Sequence, residues 1–159
     1  MKENNQGFSL IELLIVVAII LIIAAIAIPS LLRSRIAANQ ASAVGSLRTI
    51  NTVEVAYAST YNVGYSATLS DLGGTAGTAT AAGLIDSVLA GTGNTSDKSG
   101  YSFAYSPSAA VNNVINGYTL NANPLSNQTG TNYYYTDATM VIRVNNTAPA
   151  GTVDSPIGN

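Results

Sequence analysis

From Leu10 to Ile28 the chain offers one polar side chain, Glu12, in nineteen positions, and Pro29 closes the run. A helix rises about 1.5 Å per residue, so this stretch makes a rod of roughly 28 Å, close to the hydrocarbon thickness of a bilayer. A membrane-spanning helix is therefore the first expectation. Its rival is a cleaved secretory signal, whose small-residue cleavage site follows the apolar region. Ala24-Ala25-Ile26-Ala27 would serve as such a site. The flank before the run points the other way. Met1 to Gly7 is polar and ends in a glycine directly before Phe8, and a cut there would leave the apolar helix on the mature chain.

Glu12 sharpens this reading. A carboxylate at the bilayer centre costs about 2.5 to 3.5 kcal/mol on insertion scales and less near the interface, so it calls for a partner or a purpose. If the chain began at Phe8, its new α-amino group, with an ordinary pKa of about 7.7 to 8.0, would lie one helical turn away. A neighbouring copy could then supply that amine to Glu12. A carboxylate that simply reaches back to interfacial water is the plainer alternative.

Gly7, Phe8, Ser9, Leu10, Ile11 and Glu12, followed by the long apolar helix, resemble the precursors of the type IV pilin family position for position. The resemblance covers Gly7 to roughly Pro29, where the proline also fits the family's helix-weakening residue; beyond that point it is architectural. It implies that a membrane-embedded prepilin peptidase cuts between Gly7 and Phe8 and methylates the Phe8 amine. It implies an assembly role for Glu12 opposite Phe8, and a helix kink at Pro29. It also implies partners: copies of the chain itself in a helical fibre, the inner-membrane pilus assembly machinery, and membrane lipid before assembly. The expected locations are the inner membrane for the single-pass stored form and the cell surface for the assembled fibre.

A chain of 159 residues has room for one modest globular domain besides the helix. Charged residues are 9% of it, against about 25% in ordinary soluble domains, which leaves a neutral polar surface suited to packing beside copies of itself. Net charge is −2 and the cationic cluster is Arg33, Arg35 and Arg48, just past the apolar run. A nucleic-acid binder needs a basic face, so direct nucleic-acid binding is not expected. Cysteine and histidine are absent. No disulfide can fasten the C-terminal region, where many members of the family carry one, and the usual neutral-pH acid–base group is missing.

Along the chain, Pro29 lacks a backbone N–H and crowds the preceding turn, so the helix is expected to kink or open around Ala25 to Pro29 and then resume. From Ser30 to about Tyr61, Ile36, Ala43, Leu47, Ile50, Tyr57 and Tyr61 recur at helical spacings, an apolar stripe for the domain's own core. Asn62-Val63-Gly64 ends the helix, because Asn and Gly accept the left-handed conformation. Residues 62–99 read as a loop-rich connector with one helix over Ala81 to Ala90. Alternating large and small residues predict strands at 101–105, 118–122, 133–136 and 140–144, the last two joined by a tight Asp137-Ala138 turn, and an irregular tail from Asn145.

The expected fold is α+β and pilin-like: a long N-terminal α-helix, transmembrane in its first half, packed on a C-terminal antiparallel sheet of about four strands. Its parts are a leader over 1–7, a transmembrane and assembly helix over 8–29, and a globular domain over 30–159 with its sheet at 100–144. No catalytic set emerges, because a serine or threonine nucleophile needs a base beside it. Asp71, Asp86, Asp97, Asp137 and Asp154 are scattered and match no calcium loop, so no metal or cofactor is expected. The function expected is that of a structural subunit of a type IV pilus, serving adhesion, twitching motility or DNA uptake, and not an enzyme. A pseudopilin of a type II secretion system is the near alternative. A membrane-anchored periplasmic binding domain that never polymerises is the distant one, and it has no need of Glu12 or the Gly7-Phe8 site.

Overall fold

The computed structural model describes residues 7–75 and 77–158, so all of the expected leader but Gly7 lies outside the described residues. By its internal contacts the chain divides into two units, Met1–Arg35 and Ile36–Asn159. One helix, α1 (Leu10–Tyr61), contributes to both.

In the first unit α1 is a bare apolar rod. None of the residues from Gly7 to Arg35 is buried. An 18-residue window of the helix is apolar enough to cross a membrane and has no residue covered by protein. α1 runs through Pro29 without leaving the helical state, so the local opening expected there is not seen.

In the second unit one face of α1 is buried: Ala43, Ser46, Leu47, Ile50, Asn51, Glu54 and Tyr57. These positions recur every three or four residues, the period that keeps side chains on one side of a helix. Leu47 and Ile50 are fully covered, each stabilising the fold by about 1.5 to 3 kcal/mol. Ile36 and Tyr61, expected on the same stripe, are half-buried at its two ends. The helix ends where the sequence indicates, with Asn62 at φ 54° and its N–H returning to the Ala58 carbonyl at 3.2 Å.

The buried face lies against a six-stranded antiparallel sheet in which each strand pairs with its neighbour in sequence: β1 (Thr95–Lys98), β2 (Tyr101–Pro107), β3 (Tyr118–Pro124), β4 (Tyr133–Asp137), β5 (Arg143–Asn145) and β6 (Ser155–Pro156). Alternation along β2 and β3 turns Tyr101, Phe103, Tyr105, Tyr118, Leu120 and Ala122 into the core. The rings of Tyr105 and Tyr118 stack at 5.5 Å and Tyr65 meets Tyr118 edge-on at 4.9 Å, while the Tyr105 and Tyr118 hydroxyls donate to buried acceptors, the Ser66 carbonyl and Asn51 Oδ1.

Six strands replace the expected four. β1 reads Thr-Ser-Asp-Lys and carries no apolar residue to announce it; it is recruited by the Ser99-Gly100 turn, whose positive φ values of 51° and 76° suit a two-residue hairpin. A side chain at position 100 would meet the Thr129 side chain at 2.7 Å, which also requires glycine there. β6 is a two-residue strand inside the expected irregular tail. The expected strand at 140–144 begins only at Arg143. The β4–β5 connection is wider than an Asp137-Ala138 turn because the Met140 N–H closes onto the Asp137 carbonyl at 2.8 Å with Met140 at φ 62°.

The connector also differs from expectation. The helix expected over Ala81 to Ala90 shortens to α2 (Ser87–Ala90), because Asp86 caps it, accepting from the Val88 and Leu89 amides. Residues 82–85 are irregular instead, with Gly83 at φ 68°, and their amides donate to carbonyls of Asp71, Leu72 and Gly73. An unforeseen 3₁₀ turn, Leu69–Leu72, closes with a Thr68–Asp71 capping box and buries both leucines.

No cysteine fastens the C-terminus, and a set of polar ties takes that part. Asp154 accepts from Asn145 Nδ2 at 2.9 Å and from the Gly151 amide at 2.8 Å. Asn121 Nδ2 donates to the Ala150 carbonyl at 2.9 Å, and the Ile157 amide to the Ile142 carbonyl at 2.9 Å. Tyr134 and Ile142 join the core, whereas Val141 is exposed and Tyr133 half-buried.

Candidate functional site

The features singled out by the sequence gather at the start of α1. Gly7, Phe8 and Ser9 precede the helix, and the Ser9 carbonyl accepts from the Glu12 and Leu13 amides at 3.1 and 3.2 Å, closing the first turn. Phe8 is 86% exposed, an aromatic side chain standing free. A side chain added at Gly7 would meet nothing within 4 Å, so the chain's own packing does not call for glycine there.

Glu12 lies in the first turn of α1, where unpaired amides and the helix dipole favour a negative charge. Ser9-Leu10-Ile11-Glu12 has the spacing of a capping box. Among the described residues, however, neither the Ser9 nor the Glu12 side chain makes a hydrogen bond. Glu12 is surrounded by exposed Leu10, Ile11, Leu13 and Ile15, so a carboxylate without a partner among the described residues sits in an exposed apolar surface.

A family model for the prokaryotic N-terminal methylation motif matches residues 2–28. The chain carries this N-terminal methylation motif. The type IV major pilin protein PilA of Myxococcus xanthus (strain DK1622) is 43% identical over 56 residues, which are 35% of this chain and 26% of that protein. The match thus spans about a quarter of the length of that curated relative. No solved structure matches the chain. The long helix α1 and its antiparallel sheet give a pilin-like α+β architecture.

The scattered carboxylates of the second unit have local work. Asp71 caps the 3₁₀ turn; Asp86 caps α2 and pairs with Lys98 at 2.8 Å, which with the Leu89 amide holds its carboxyl below the usual range. Asp137 accepts from the Thr139 amide and from Thr139 Oγ1, and Asp154 ties the C-terminal segment. Among the described residues no three acidic, cysteine or histidine side chains gather as a metal would need.

Sequence reasoning missed the buried polar side chains of α1. Asn51 donates through Nδ2 to Thr136 Oγ1 at 2.9 Å and accepts the Tyr118 hydroxyl at 2.8 Å, fixing the helix to β3 and β4. Glu54 is fully covered; its Oε2 accepts from the Ser66 amide at 3.0 Å and its Oε1 lies 2.7 Å from Ser66 Oγ. Its helical spacing from Ile50 and Tyr57 was the available signal.

Proposed function

We propose that the chain is a structural subunit of a type IV pilus, stored in the membrane by α1 and packed helix to helix into a fibre. The observation that carries this reading is Glu12, without a partner among the described residues, on the uncovered apolar first half of α1 and one turn from Phe8. Membrane lipid accounts for the uncovered apolar surface before assembly, and helices of other copies after it. A purely lipid-facing anchor gains nothing from a carboxylate, whereas an assembling helix gains both a charge partner and an axial register, because apolar surfaces slide past one another with little preference.

In this reading residues 1–7 are the leader, 8–29 the membrane and assembly helix, and 30–159 the globular domain. A prepilin peptidase cuts between Gly7 and Phe8 and methylates the Phe8 amine. That Gly7 is not required by the chain's own packing supports an outside reader of the position, a protease cleft with no room for a side chain. Pro29 supplies the weak point at which α1 bends during packing. The stored form is an inner-membrane single-pass protein, and the fibre stands at the cell surface. Its role is structural, with no catalytic set to add to it.

Glu12→Ala tests the assembly role in cells. The variant is expected to insert in the membrane at normal level and to have its leader removed, yet to build few or no fibres by electron microscopy. Fibres in normal number and length would reduce Glu12 to a carboxylate that merely reaches interfacial water.

A further inference from the structure

We propose that Glu54 is a proton-binding site that works as the neutral acid, latching the connector onto α1 through a directed hydrogen-bond chain that includes Ser66 and Tyr105. The latch is independent of the assembly reading. Glu54 is completely covered. Its Oε1 lies 2.7 Å from Ser66 Oγ, Ser66 Oγ lies 3.1 Å from the Tyr105 hydroxyl, and the Tyr105 hydroxyl lies 2.9 Å from the Ser66 carbonyl. With a proton on Oε1, each hydroxyl can donate to the next group along this line. Glu54 donates to Ser66 Oγ, Ser66 Oγ to Tyr105, and Tyr105 to the Ser66 carbonyl. Meanwhile the Ser66 amide donates to Oε2 at 3.0 Å. Every hydrogen then has an acceptor, as a buried network requires.

The ionised form fits less well. Ser66 Oγ has one hydrogen, so it must turn to Oε1 and leave the Tyr105 oxygen without a donor. The charge also meets no cation. The titratable groups that face it are Asp71 of the 3₁₀ turn, Tyr105 of β2, Tyr118 of β3, and Tyr57 on α1 itself, none of which carries a positive charge. Burial without a counter-charge disfavours the carboxylate. Burial, opposed in part by hydrogen bonds from Ser66 and Tyr105 and reinforced by Asp71, raises the Glu54 pKa above its ordinary 4.5.

Because the folded chain holds this proton more tightly than the unfolded one, the stability it contributes is complete below the ordinary glutamate range. It is lost as pH rises through the raised value. Tyr57, Tyr105 and Tyr118 do not add to this loss near neutrality, since burial pushes their hydroxyls up as well.

The test uses the full chain in detergent micelles, with melting of the sheet unit followed by near-ultraviolet circular dichroism from about pH 5 to about pH 9. The parent Tm is expected to fall across this range. Glu54→Gln keeps a donor toward Ser66 Oγ and an acceptor for the Ser66 amide, so its Tm should stay flatter and exceed the parent's at the alkaline end. Equal slopes in the two proteins, or a parent Tm that does not fall, would overturn the proposal. Should Glu54→Gln not fold, a Glu3→Gln, Glu12→Gln chain labelled with carbon-13 in glutamate only gives a side-chain carboxyl resonance that reports Glu54 alone. A signal still protonated above the ordinary glutamate range supports the latch, and titration at the ordinary glutamate value refutes it.

Discussion

Replacing Asn51 by leucine would test whether polar pairing or plain burial fixes the helix to the sheet. The side chain is 5% exposed and leucine is of similar bulk, so the cavity change is small. What is lost is the partner of two other buried groups, the Tyr118 hydroxyl and Thr136 Oγ1, whose side-chain bonds both end on Asn51. Each orphaned group costs about 1 to 3 kcal/mol, so Asn51→Leu should destabilise by about 2 to 6 kcal/mol. At about 4 °C per kcal/mol for a unit of this size, the melting midpoint drops by roughly 8 °C or more. The apolar half of α1 stays helical in micelles, so far-ultraviolet signals are a poor reporter. The near-ultraviolet signal of nine tyrosines in a chain without tryptophan follows the sheet unit instead. Adding Tyr118→Phe removes one orphan and should return about 1 to 3 kcal/mol. An Asn51→Leu protein melting within about 4 °C of the parent, or a Tyr118→Phe change that adds a further full loss, would refute the reasoning.

Mass spectrometry of assembled fibres should find a chain beginning at Phe8 and heavier by one methyl group; an N-terminus at Met1 or after Ala27 would contradict the processing reading, and Gly7→Leu should accumulate uncut precursor. Asp154→Ala removes the acceptor of Asn145 Nδ2 and of the Gly151 amide, so it should cost about 1 to 2 kcal/mol and speed proteolytic cleavage within residues 146–153. Cleavage at the parent rate would show that β6 alone secures the segment.

The parts of the fold that the sequence made legible are those in which apolar residues carry the period. The run from Leu10 to Ile28, the stripe through Ala43, Leu47, Ile50 and Tyr57, and the alternation of Tyr101, Phe103 and Tyr105 all belong to this class. The misses have a common physical cause. β1 and β6 are edge strands held by pairing with a neighbour, and Thr95–Lys98 has nothing apolar to give it away. Met140-Val141-Ile142 has strand-like composition, but the backbone bond from Met140 to Asp137 decides its shape. Glu54 and Asn51 stood at helical positions on the buried stripe, yet residue type alone places both in water; only their partners in β2, β3, β4 and the connector make burial affordable. At the N-terminus the motif itself was readable, whereas the openness of Gly7 and the lack of a partner for Glu12 needed coordinates.

Consecutive pairing of all six strands bears on how the chain acquires its shape as it is made. α1 is finished before any strand exists, and at translation speeds of about 5 to 20 residues per second the step from Tyr61 to Tyr101 takes roughly 2 to 8 s. During that interval Leu47, Ile50 and Tyr57 have no sheet to cover them. A sheet with a crossover would have to wait for its last strand before its centre could form, but here each new strand finds its partner already synthesised just ahead of it. The sheet can therefore grow one strand at a time onto the waiting helix face, and such sequence-local steps shorten the search. β2 and β3, which bring six of the core side chains, arrive early enough to shield the helix before the C-terminal ties are available.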